Sequence, residues 1–109
     1  MMKRVEVWWV AFDPALGSEI QKTRPAIIVS NDSANRNLKR VVVVPLTSNT
    51  SRVFPGEARV SVAGEFCKAM SDQVMAADKL RVKDKLVILS KSDMLEVEKA
   101  ICTHLGLPV

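Results

Sequence analysis

Six polar residues, five where apolar runs begin, end or break and one in a loop, carry the reactive groups of this chain. Arg24 opens an apolar run, Thr47 and Ser48 close another, Asp72-Gln73 interrupt a third, and Glu19 lies in the long connection before Arg24. A guanidinium is a planar fork of donors that matches a phosphate in two places at once. Hydroxyls add single donors, and Glu19 adds a carboxylate. On one rim of a small barrel, where strand ends converge, they would share one surface able to hold a phosphate. Each also has a plain structural use: Arg24 pairing with a surface carboxylate, Thr47-Ser48 capping a turn, Asp72 satisfying backbone donors at a strand break.

Other chemistries lack their parts. The single histidine, His104, lies in a helical pattern beside Leu105, where a partly exposed or structural role is expected. A Ser-His-Asp or Cys-His arrangement would have to use it as the base. A two-histidine ribonuclease would need a dimer to supply the second. Cys67 and Cys102 have no CxxC or Cys/His spacing, so no metal centre is expected. No cofactor is expected either, there being no glycine-rich dinucleotide loop and no P-loop. We expect both cysteines to be reduced and buried, since a secreted scaffold of this size usually carries several disulfides.

The elements that must position these groups are short. Val5 to Phe12 is β-branched and aromatic and stops at Asp13-Pro14, the pattern of a strand. A polar connection through Thr23 follows, longer than a hairpin requires and so a candidate functional loop. Ala26 to Ser30 and Val41 to Val44 read as strands, the second buried on both faces. Between them, Ser33-Ala34-Asn35 suggests one helical turn. Pro45 implies a bulge or a position that needs no ladder donor. Glu57 to Val62 and Phe66 to Met75 read as two further strands joined by a turn at Ala63-Gly64-Glu65. Ala76 to Leu80 suggests a short helical turn, and Leu86 to Leu89 a last strand.

The chain closes on a helix. Ser90 and Asp93 form a capping pair, Met94, Val97, Ile101 and Leu105 recur at spacings of three and four, and Gly106 stands at the C-cap with Pro108 beyond. Short strands followed by one terminal helix predict a mainly β protein, a small and partly open antiparallel barrel. We expect residues 1–109 to form a single domain.

Composition bounds the partners. The 109 residues are 48% hydrophobic with a net charge of +4, and the pI of about 9.3 favours an anionic partner. Glu6 and Asp13 break the N-terminal apolar stretch, so we expect neither a leader peptide nor a membrane span, and a cytoplasmic location.

Three stretches, in order, resemble the MazF/PemK family of bacterial toxins. They are Val7-Trp8-Trp9-Val10-Ala11-Phe12-Asp13-Pro14 with Gly17-Ser18-Glu19 and Arg24-Pro25-Ala26-Ile27-Ile28-Val29-Ser30; Val41 to Val44 running into Pro45-Leu46-Thr47-Ser48; and Asp72-Gln73 with Leu89-Ser90 and Leu105-Gly106-Leu107. The resemblance covers essentially the whole chain. It implies an SH3-like barrel acting as a homodimer, sequence-selective cleavage of single-stranded RNA, and inhibition by a cognate antitoxin with a flexible acidic segment. It implies Arg24 and Thr47 as the catalytic pair, with Glu19 secondary. Ser18, Ser48, Asp72 and Gln73 would lie along the RNA; Lys22, Lys79, Arg36 and Arg52 are candidate phosphate contacts and, equally, candidate solvated surface charges. The expected reaction is metal-independent attack of a ribose 2′-hydroxyl on the adjacent phosphate.

Two features depart from the family pattern. Val5-Glu6 stands where relatives carry Gly-Asp or Gly-Glu, and no cation flanks Asp72-Gln73, where Met70-Ser71 and Val74-Met75 are found. Two rival functions keep the barrel. One is a non-catalytic toxin that binds a protein such as DNA gyrase, as the CcdB group does. The other is a plain nucleic-acid-binding barrel, with one of Trp8 and Trp9 exposed to stack on bases.

Overall fold

The computed structural model describes residues 1–14 and 16–108. Seven strands and two helices follow in order: β1 (Glu6–Ala11), β2 (Thr23–Ile28), α1 (Asp32–Asn37), β3 (Arg40–Thr47), β4 (Ala58–Val62), β5 (Glu65–Ala69), β6 (Met75–Asp78), β7 (Val82–Ile88) and α2 (Lys91–Leu105). The sheet is antiparallel and runs β4-β5-β3-β2-β1-β7, with β6 also paired to β3. It curls so that β6 leads through a 3-10 turn into β7, which pairs with β1. The mainly β, barrel-like architecture with a terminal helix is the one the sequence implies.

The central strands are apolar on both faces because both faces are covered. Val10, Ala26, Ile28, Val41, Val43, Ala77 and Val82 fill the inside of the curl. Val7, Ile27, Val44 and Leu46 point the other way, onto the β4–β5 hairpin and α2. Ile27, Ile28, Val43 and Val44 are fully buried. The alternation within Val41 to Val44 therefore feeds two cores, which explains why that run carries no polar face. The anticipated helical turn between β2 and β3 is α1, with Asn31 as its N-cap.

Three expectations are corrected by the pairing. Phe66 to Met75 is not one strand. Met70 donates its N–H to the Pro45 carbonyl (2.9 Å), after which the chain turns through Ser71–Gln73 and rejoins β3 at Met75, opposite Val43. Pro45 has no N–H to return, so the ladder opens where Asp72-Gln73 stand. Ala76 to Leu80 is not helical: β6 pairs with Arg40–Val43 and buries Ala77, and the 3-10 turn spans only Lys79–Arg81. The open edge of β3 outweighs the helix preference of two alanines. The last strand begins at Val82, four residues earlier than expected, because Lys83, Asp84 and Lys85 lie exposed on the outer edge and hide its pattern.

At the helix, Ser90 caps α2 by accepting from the Asp93 N–H (3.2 Å). Asp93 does not return the bond. Its carboxylate accepts from the Ser61 N–H at 2.8 Å and so pins α2 to β4. Gly106 takes the left-handed C-cap conformation at φ 71. Leu105, expected on the buried stripe, is exposed. His104 is exposed and packs beside Gly56. Cys67 and Cys102 are free thiols but half-buried rather than buried, and burial pushes the Cys67 thiol up.

Candidate functional site

The connection between β1 and β2 is long and polar, yet it is held at several points. Phe12 donates to the Lys22 carbonyl (2.9 Å), and Lys22 donates back to the Asp13 carboxylate (3.0 Å). Glu19 closes a small turn: its carboxylate accepts from the Leu16 N–H (2.6 Å), and its own N–H reaches the Leu16 carbonyl (3.1 Å). The Ile20 N–H donates to the Gln73 side chain at 2.9 Å. That last bond joins the loop to the turn where β5 and β6 part, two segments that only the curl of the sheet brings together.

Two open depressions flank this junction. One, of about 490 Å³, is lined by Phe12, Glu19, Asp72, Gln73 and Arg81 among others. The other, of about 350 Å³, is lined by Gly17 to Lys22, Arg24 and Gln73. Glu19, Ile20 and Gln73 belong to both and form the ridge between them. Of the residues singled out in the sequence, Ser18, Glu19, Lys22, Arg24, Asp72 and Gln73 therefore meet at one place.

Arg24 is half-buried, and its Nε donates to the Gln21 carbonyl at 2.9 Å. That contact fixes the plane of the fork. Among the described residues no ion pair involves Arg24, Glu19, Asp72 or Arg81, so the surface-pair role for Arg24 does not apply. Thr47 lies on the same side of the sheet. The β2–β3 register pairs Ala26 with Pro45, and two residues further the same alignment reaches Arg24 on one strand and Thr47 on the other. There β3 pairs instead with β5, Thr47 opposite Lys68. The Thr47 hydroxyl accepts from the Asn49 N–H (3.3 Å), and Ser48 beside it is exposed. Thr47 lines neither depression. Lys79 is placed elsewhere: its ammonium bonds to the Asn35 carbonyl, near the Arg40 end of β3 and away from Thr47.

Arg81 is the residue that sequence reasoning missed. Its Nη1 donates to the carbonyls of Ala11 (3.1 Å) and Asp13 (2.6 Å), and its side chain lines the same depression as Asp72 and Gln73. A cation absent beside Asp72-Gln73 in the chain thus stands on the rim of the same depression, brought there by the next turn. A basic residue at the foot of β7, on the same rim as the end of β1, was the available signal. The second departure also has a structural meaning. Val5 sits at φ 81, a backbone region suited to glycine and costly for a β-branched residue. Glu6, next to it, is buried; burial pushes its carboxyl up, but bonds from the Trp8 indole, the Lys3 N–H and Lys85 outweigh this and hold it low. Trp8 accordingly packs inward and Trp9 is the more exposed of the two.

The description of PemK-like, MazF-like toxins of type II toxin–antitoxin systems matches residues 3–105. The chain belongs to that family. It is 35% identical to the endoribonuclease MazF9 of Mycobacterium tuberculosis, over 98% of both chains. It is 31% identical to the endoribonuclease MazF of Staphylococcus epidermidis, over 98% of this chain and 93% of that one. Among solved structures it resembles a mycobacterial endoribonuclease in complex with its cognate antitoxin, with a TM-score of 0.81 at 25% identity over 100% of this chain and 99% of the other. MazF from Deinococcus radiodurans superposes with a TM-score of 0.87 over 97% of each chain. At 22% identity that second likeness speaks for the fold of this toxin alone.

Proposed function

We propose that this toxin is an endoribonuclease that cuts single-stranded RNA at the Arg24–Thr47 rim without a metal, and that a cognate antitoxin neutralises it. The observation that carries the reading is an Arg24 fork oriented by the Gln21 carbonyl and free of any carboxylate partner among the described residues, on the strand next to the one that Thr47 ends, two residues beyond the Ala26–Pro45 pair on each.

In the reaction the ribose 2′-oxygen bonds to the adjacent phosphorus as the bond from phosphorus to the 5′-oxygen breaks. The 2′ proton passes to the Glu19 carboxylate, and the departing 5′-oxygen takes a proton from solvent. The products are a 2′,3′-cyclic phosphate and a 5′-hydroxyl. A guanidinium has five N–H donors and no acceptor, so the part of Arg24 is to stabilise charge on the phosphate oxygens, with the Thr47 hydroxyl as a second donor. Ser18, Ser48, Asp72 and Lys22 contact the strand around the bond that is cut, while Gln73 holds the Ile20 N–H of the loop that carries Glu19. The active species is a cytoplasmic homodimer. Among the described residues no helix is long and apolar enough to cross a membrane. The antitoxin reading rests on family membership and on a net charge of +4, which suits an acidic segment that folds on binding.

The test is incubation with a defined RNA in excess chelator, followed by mapping of both fragment ends. Cleavage leaving a cyclic phosphate is expected. Intact RNA, or cleavage that stops on chelation, overturns the reading, and a stable complex with gyrase would replace it.

A further inference from the structure

One face of the β4–β5 hairpin takes no part in the two cores. Ala58, Val60 and Val62 turn inward, so the alternation sends Arg59 and Ser61 outward, and the register sets them opposite Lys68 and Phe66. Lys68 is itself opposite Thr47 on β3. Thr47, Lys68 and Arg59 therefore form one row across three adjacent strands, because directly paired residues share a face. Neighbouring strands lie about 5 Å apart, so Arg59 is within about 10 Å of Thr47 along the row.

The loop after Thr47 folds over this row. Arg59 donates to the Thr50 carbonyl (3.3 Å) and Lys68 to the Arg52 carbonyl (3.1 Å). The Arg52 guanidinium lies 5.8 Å above the centre of the Phe54 ring. Phe66 is 70% exposed and Phe54 53%, both large apolar rings beside cations. Lys68 is paired with Glu57 at 3.2 Å, but among the described residues Arg52 and Arg59 have no acidic partner. Cations interleaved with open rings, continuous with a phosphodiester site, are the features of a single-strand track: charge follows the backbone and rings stack on bases.

We infer that the outer face of the β4–β5 hairpin binds the single-stranded RNA that flanks the cut bond, with Phe66 and Phe54 stacking on bases and Arg59 and Arg52 holding phosphates. This rests on the ribonuclease reading above and extends it to how the toxin distinguishes long substrates from short ones.

The experiment compares kcat/KM on an oligonucleotide of about sixteen residues with that on one of about four, both containing the cut site. The parent, Phe66→Ala, Phe66→Leu and Arg59→Gln are measured, with thermal unfolding to confirm that each variant folds. Both alanine and leucine at Phe66 are expected to lower the long-to-short ratio about tenfold, since leucine keeps the bulk but not the ring. Arg59→Gln is expected to lower it similarly and to reduce the salt slope of long-strand binding by about 0.7. Folded variants with the parental ratio overturn the inference. So does a parental ratio combined with lost inhibition by an acidic antitoxin peptide, which would give the face to the antitoxin. If the parent cuts neither oligonucleotide the ribonuclease reading has failed, and fluorescence anisotropy with the long strand still tests the face: unchanged affinity in all three variants overturns it.

Discussion

Two polar clusters sit at opposite ends of β3, and they differ in what their polar atoms are left to do. Around α1 the Asn35 amide is buried and bonds to the Ser30 carbonyl (3.0 Å), the Ser30 hydroxyl and the Asp32 carboxylate (3.3 Å). The Ser30 hydroxyl accepts from the Val42 N–H at 2.9 Å, and the Lys79 ammonium reaches the Asn35 carbonyl. The Arg4 N–H beside the Asp32 carboxylate holds it below the usual range. Around Glu19, Arg24, Asp72, Gln73 and Arg81 the bonds go mainly to loop backbone, and the charged ends are left around open depressions. A buried polar cluster with every member satisfied specifies structure. A half-exposed one with oriented but unpaired charge is suited to a ligand. The same residue types serve both, and their partners separate the uses.

The sharpest break of this contrast is a pair of alanine variants. Arg24→Ala should cut kcat by a hundredfold or more, the typical result of removing one donor to developing charge. Its Tm should stay within about 3 °C of the parent, since the Arg24 side chain makes one described hydrogen bond and no described ion pair. Asn35→Ala should do the reverse. It removes the acceptor of the Ser30 hydroxyl and the donor to the Ser30 carbonyl and the Asp32 carboxylate, costs about 2 kcal/mol, and lowers Tm by roughly 10 °C, while kcat of the folded protein stays near parental. Single-turnover cleavage and calorimetry on the same preparations decide it. An active Arg24→Ala, or an Asn35→Ala that unfolds at the parental temperature, collapses the distinction.

The sequence disclosed these clusters unequally, for reasons that lie in the residues. Strand cores were legible because Val, Ile and Trp runs carry a local signal. The helix end was legible from Ser90 and Gly106, whose cap geometry is set within four residues. Pro45 announced an interruption, but where the chain would break depended on β5, which pairs with it across more than twenty residues. Lys79 and Arg81 are two residues apart, and nothing local tells them apart. The 3-10 turn between β6 and β7 sends one to the Asn35 carbonyl and the other to the carbonyls of Ala11 and Asp13. Arg24 and Thr47 could be proposed as a catalytic pair only by resemblance. Their shared rim is a product of register, which no single segment encodes.

A smaller and finer test concerns Gln73, which belongs to the site yet bonds like a structural residue. Its carbonyl oxygen holds the Ile20 N–H at 2.9 Å, and its amide rests against the Met70 sulfur at 3.7 Å. If its main contribution is to hold the β1–β2 loop, Gln73→Glu should keep much of the activity, because a carboxylate can accept the same N–H, whereas Gln73→Ala should not. We expect Gln73→Ala to lower kcat/KM about tenfold, the size of one hydrogen bond lost from a positioning contact. The loss should fall on kcat more than on KM, because a mobile Glu19 leaves the strand bound but its 2′-hydroxyl poorly placed. A loss confined to KM, not rescued by glutamate, would instead make Gln73 a direct RNA contact. It would also blur the line between the two clusters, since the ridge joining the depressions would then be ligand surface rather than scaffold.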